Sequence, residues 1–144
     1  RYSEMALRIA QELGQPELLC QIYDNLGNIR WKMGRFEEAM GYYEKALEAV
    51  GEGSVHALKI RRHMAQTLVC MGRIGEAVRA FREIEGICRR QGRRRELEEI
   101  AESIRVLESA GVEEIPPDTC FGELTGFKMP KCRDECLKAA GRGR

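Results

Sequence analysis

This sequence is short of the residues that build sheets and the features that mark catalysis. It has four prolines in 144 residues and no long β-branched run, which argues against a β-protein. Net charge is nearly absent. The 24 Lys/Arg and 23 Asp/Glu leave +1, so no global field would draw nucleic acid or an anionic membrane. No apolar run approaches the length of a bilayer span, and no stretch reads as a signal peptide. Motifs for chemistry are missing as well. There is no Ser/Cys–His–acid pattern in a plausible context, no phosphate-cradling glycine loop, and no paired carboxylates beyond ordinary helix charges. Neither an enzyme nor a bound cofactor is expected.

What is present favours helices. Charged residues are 33% and hydrophobic ones 43% of a chain whose length suits one domain. Six cysteines are many for this length. Cys20, Cys70 and Cys88 fall inside helical segments, where a free thiol behaves as a small apolar group. Reduced thiols and a cytoplasmic location are therefore expected, with a secreted disulfide scaffold as the alternative. The chain opens at Arg1, without Met and already inside a helical pattern, and is read as part of something longer.

Apolar spacing and stop signals mark out six helices. The first covers Arg1–Leu13, with Met5, Leu7, Ile9, Ala10 and Leu13 on one stripe and Gly14 as its stop. Pro16 opens the second, which runs to Met33 before Gly34. The third covers Phe36–Val50, and Ser54 is the expected N-cap of a fourth ending at Met71. The fifth covers Ile74 to about Arg90, and the sixth Arg94–Ala110. Gly34, Gly72 and Gly111 recur at spacings of 38 and 39 residues, and Gly14, Gly51/Gly53 and Gly92 end the alternate helices at nearly that period. The segment at Tyr2, YSEMALRIA, also lies over YYEKALEAV at Tyr42. Two helices per repeating unit of this length are the mark of a helical solenoid.

The segment Cys20–Gly51 resembles a tetratricopeptide repeat almost position by position. The family's order of aromatic, Leu-Gly, Gly, aromatic, Ala, aromatic, Ala is met by Tyr23, Leu26-Gly27, Gly34, Phe36, Ala39, Tyr43 and Ala46. Leu58–Gly86 is a weaker copy, carrying Met64-Ala65, Leu68, Gly72, Ile74, Ala77 and Phe81. Leu97–Gly111 is similar to a lone first helix, and Arg1–Leu13 to a lone second helix. There are departures. Arg30 stands where the family usually has tyrosine, Arg61 where it has a large aromatic, and Glu85 where it has Leu. The expected packing sets Gly27 opposite Ala39 across the pair, with Ala46 against the next unit.

The resemblance implies an all-α superhelix over residues 1–111, made of a half repeat 1–14, repeats 17–53 and 54–92, and a half repeat 94–111. Residues 112–144 form a C-terminal extension with a short helix over 131–140 that caps the array. It also implies a concave groove lined by the first helix of each pair. The groove-facing positions are Gln21, Asp24, Asn25, Asn28, Trp31 and Lys32, then Lys59, Arg62, His63 and Gln66, then Glu102 and Arg105. Asparagines such as Asn25 and Asn28 would clamp the main chain of an extended peptide, since an amide both gives and accepts hydrogen bonds. Lys59, Arg62 and Arg105 would select for an acidic residue or a free carboxylate, and Trp31 would supply an apolar anchor unless it is core.

The expected function is therefore a scaffold or adaptor that binds a partner protein or peptide. Self-association through exposed repeat ends and a regulatory or RNA-binding module are the alternatives. Nucleic acid is disfavoured, because Arg89, Arg90, Arg93, Arg94 and Arg95 read as a solvated turn between a helix end and a helix start. No metal is expected. Cys120, Cys132 and Cys136 are the weak alternative, three thiols where a closed zinc site needs four ligands.

Overall fold

A computed structural model of the chain describes residues 2–51, 53–111 and 113–114. Six α-helices make up this part: α1 (Tyr2–Leu13), α2 (Pro16–Lys32), α3 (Phe36–Val50), α4 (Val55–Cys70), α5 (Ile74–Gln91) and α6 (Arg94–Ser109). Their limits fall within two residues of those expected from the stop signals. The expected C-terminal helix over 131–140, its capping role and the thiols Cys120, Cys132 and Cys136 lie outside the described residues.

The turns explain why the helices end where they do. Six glycines, Gly14, Gly34, Gly51, Gly72, Gly92 and Gly111, take φ between 63° and 79°. At Gly92 the left-handed conformation lets Arg93 N–H turn back to the Cys88 carbonyl at 2.9 Å, closing a Schellman motif. The same closure recurs from Gln15 to Ala10, from Arg35 to Arg30 and from Arg73 to Leu68. In each case the residue that closes one helix also opens the next. Its carbonyl accepts the first bond of the following helix, from Leu19 to Gln15, Ala39 to Arg35, Ala77 to Arg73 and Leu97 to Arg93. None of the caps at Gln15, Arg35, Arg73 and Arg93 uses a side chain. The longer connection into α4 does, with Ser54 Oγ accepting from His56 N–H at 3.1 Å, as expected of an N-cap.

The described helices fall into two compact units, residues 1–63 and residues 64 onward, and α4 contributes to both. In the first unit, α2 buries Cys20, Asp24, Gly27 and Trp31, and α3 buries Ala39, Tyr43 and Ala46. Those spacings of three and four residues place each set on one helix face. The space over Gly27 is filled by the Tyr43 ring rather than by Ala39, as the sequence pattern had suggested. A Cβ built on Gly27 would lie 2.5 Å from Tyr43 Cε1. The buried Ala39 and Ala46 are small, so at Gly27 it is the Tyr43 ring that sets the spacing of the pair.

In the second unit, Ile74, Ala77, Phe81, Ile84 and Cys88 of α5 are buried, as are Ile100, Ile104 and Leu107 of α6. Burying a side chain such as Phe81 or Ile100 contributes about 1.5–3 kcal/mol. Arg82 and Glu108 pair across α5 and α6. After α6 the chain returns to the start of α5, where Gly75 N–H donates to the Glu113 carbonyl at 2.9 Å and Arg73 bridges to Glu114. One orphan donor of the helix start is satisfied in this way.

The family departures Arg30 and Glu85 pair with close neighbours. Arg30 Nε lies 3.6 Å from Glu38 Oε1, and its guanidinium sits 5.9 Å from the Tyr42 ring centre. Glu85 is half-buried and lies 3.7 Å from Arg89 on the next turn. Both positions thus keep a charge near the core edge by pairing it.

Candidate functional site

The polar residues of the first unit gather where α2 faces the first half of α4. Four residues separate Cys20 from Asp24 and Asp24 from Asn28, so these side chains lie one above the other on α2. On α4, Lys59 and His63 have the same spacing. Asp24 joins the two helices. Its Oδ1 is 2.8 Å from His63 Nδ1, and its Oδ2 is 3.7 Å from Lys59 Nζ. Asp24 is only 4% exposed, and a buried charge of this kind is tolerated because it is paired.

Asp24 therefore does not stand in an open groove as the sequence suggested; its two oxygens are turned into the protein. Trp31 is corrected in the same way. It is buried at 8% exposure and belongs to the core, while its neighbour Arg30 is half-buried at the core edge over Tyr42. Of the other positions, Gln21, Asn25, Lys32 and Lys59 are exposed and Asn28 and Arg62 are half-buried. His63 is largely enclosed, its ring 5.6 Å from that of Tyr43. Asn28 Oδ1 accepts a 2.6 Å hydrogen bond from the Tyr43 hydroxyl. In the second unit Gln66 is half-buried, and exposed Arg105 pairs with Glu102 on its own helix.

Cys20 lies at the lower end of this cluster and is 1% exposed. Burial pushes its thiol above the ordinary value, the Asp24 carboxylate adds to the rise, and the Lys59 ammonium opposes it. A protonated, enclosed thiol is inert. Cys20 is in no disulfide. Among the described residues no three His, Cys, Asp or Glu side chains converge to hold a metal ion. No helix among them is long and apolar enough to cross a membrane.

Two features of this site were missed in the sequence. The Asp24–His63 contact spans 39 residues, and no local pattern announces it. The Tyr43–Asn28 bond was missed as well, because the repeat pattern marks Gly27 as a close contact without naming Tyr43 as the group that lies over it.

No curated protein and no solved structure matches this chain. A family model described as Tetratricopeptide repeat matches residues 1–52 and again residues 18–90. The matched span contains the helix pair α2/α3 with its Gly27–Tyr43 contact, the glycine turns and the polar cluster on α2 and α4. With well over half of its length matched and six helices but no strand among its described residues, the chain belongs to the tetratricopeptide repeat family, whose members generally mediate protein–protein interaction.

Proposed function

We propose that this chain is a non-enzymatic scaffold that holds an extended peptide segment against the polar face of α2 and α4. The observation that carries the reading is the separation of roles at this face. Asp24 is consumed inside, while Gln21, Asn25 and Lys59 project from neighbouring turns into solvent. Amides on α2 suit the backbone of a peptide irrespective of its sequence. Lys59, whose side chain is 63% exposed, and Arg62 favour an acidic residue or a free carboxylate. The buried Cys20 thiol fits a reducing compartment such as the cytoplasm. The test is selection of binders from a displayed peptide library, followed by fluorescence anisotropy on the recovered peptides with Asn28→Ala and Arg62→Glu. A loss of affinity in both is expected. Unchanged affinity in both removes this face from the reading.

One observation favours self-association as a second reading. Met5, Ile9 and Leu13, at 64%, 50% and 61% exposure, form an apolar stripe on α1. A sedimentation mass that stays monomeric across concentration disposes of it.

A further inference from the structure

The bond between Tyr43 and Asn28 sets the polarity of the proposed site. Its length of 2.6 Å is that of an O–H···O bond rather than an N–H···O bond. The phenol is thus the donor and the carboxamide oxygen the acceptor. A carboxamide has one oxygen and one NH2 group, and with the oxygen engaged the NH2 is the half left for another molecule. No described residue bonds to that NH2 group, and Asn28 is half-buried rather than enclosed.

Tyr43 is not free to release this hold. Its ring is 1% exposed and rests on Gly27, where there is no room for even a methyl group. The other strong acceptor on this part of α2, the buried Asp24 carboxylate, is bonded to His63 through Oδ1 and ion-paired with Lys59 through Oδ2. Lys59 Nζ, at 3.7 Å from Asp24, is beyond hydrogen-bond distance and keeps its protons for a ligand.

We infer that Tyr43 is a positioning residue that fixes Asn28 as a hydrogen-bond donor. The site then takes a segment that presents acceptors, a carboxylate or carbonyl oxygen, between Asn28 and Lys59. This rests on the peptide-binding reading above and narrows it. An amide expected to give and accept is here one that only gives.

The test uses Tyr43→Phe, which keeps the ring over Gly27 and removes only the donor. In the free protein, the Asn28 side-chain NH2 resonances should shift and broaden in this variant while those of Asn25 stay in place. Binding is then followed on the same resonances with N-acetylated octaglutamate, which presents acceptors, and octalysine, which presents side-chain donors. Octaglutamate should perturb wild-type Asn28 at lower concentration than octalysine. Tyr43→Phe should weaken octaglutamate about three- to tenfold, the scale of one hydrogen bond. Asn28→Asp, which turns the outward group from donor to acceptor, should weaken it further. Unmoved Asn28 resonances in free Tyr43→Phe overturn the positioning role, whatever the binding data. A wild-type response to octalysine but not octaglutamate overturns the acceptor preference and leaves the peptide reading standing. No response to either peptide refutes both readings of this face, while the free-protein spectra still decide the role of Tyr43.

Discussion

Replacing glycine by alanine in a helix ordinarily stabilises it, and at Gly27 the structure requires the reverse. A methyl group there would lie 2.5 Å from Tyr43 Cε1, 2.8 Å from Cδ1 and 3.0 Å from Cζ. Carbon atoms rest at about 3.5–4.0 Å, so ring or helix must yield by about 1 Å. The ring is buried, and its hydroxyl is held by Asn28, so it cannot swing aside as a flexible chain would. Overpacking of this kind costs about 1–3 kcal/mol, and three ring atoms at once favour the upper half of that range. Set against a helix-propensity gain of about 1 kcal/mol, the net loss is about 1–2 kcal/mol. Gly41, in the facing helix α3, has nothing within 4 Å of its built Cβ and no unusual backbone. Gly41→Ala should stabilise by about 0.5–1 kcal/mol. Urea unfolding followed by helical circular dichroism measures both, and a midpoint lower by about 5 °C for Gly27→Ala is the thermal counterpart. In a Tyr43→Leu background, Gly27→Ala should cost little, giving a coupling of about 1 kcal/mol or more. Gly27→Ala as stable as the parent, or the same sign at both glycines, refutes the argument that the Tyr43 ring sets the spacing of the pair.

Three further outcomes are expected. Asp24→Ala removes the shared partner of His63 and Lys59 and should destabilise by about 1–3 kcal/mol in urea unfolding, while Lys59→Ala, at an exposed end, should cost less than 1 kcal/mol. Cys20 keeps its proton in the folded state beyond the pH at which the unfolded chain releases it, because its value is raised above 9.0. Its contribution to stability is therefore fully present below about pH 9 and lost above it; in native protein at pH 8, Cys20 should react with iodoacetamide far more slowly than in urea, which mass mapping of the labelled peptide checks. Gly92→Ala forces a left-handed residue to carry a Cβ and should cost about 1–2 kcal/mol in the same unfolding assay.

The helices and their stops were legible because their signals are local. A glycine in the left-handed region, a Pro at a helix start and Ser54 before α4 each act within a turn or two of chain. The family pattern was legible for a related reason: small residues at Gly27, Ala39 and Ala46 announce a close contact. It did not name the partner, and Tyr43 rather than Ala39 lies over Gly27. The orientation of α2 at Arg30 and Trp31 was not legible, because adjacent residues differ by only about 100° around a helix and either could have faced inward. The structure buries Trp31 and gives Arg30 a carboxylate and a ring. Asp24 was the largest departure. Its burial depends on Lys59 and His63 from another helix, and a charged residue with distant partners looks in sequence like any solvated one.

The junction residues Gln15, Arg35, Arg73 and Arg93 have a mechanical consequence. Each gives its N–H to the helix behind and its carbonyl to the helix ahead, so a single peptide unit is clamped from both sides. Fraying at one helix end then strips the first bond from its neighbour, and the two ends should open together in hydrogen exchange rather than independently. One extra residue at such a junction would pull the two clamps apart. These four joints thus tolerate little change in length and transmit motion directly from helix to helix.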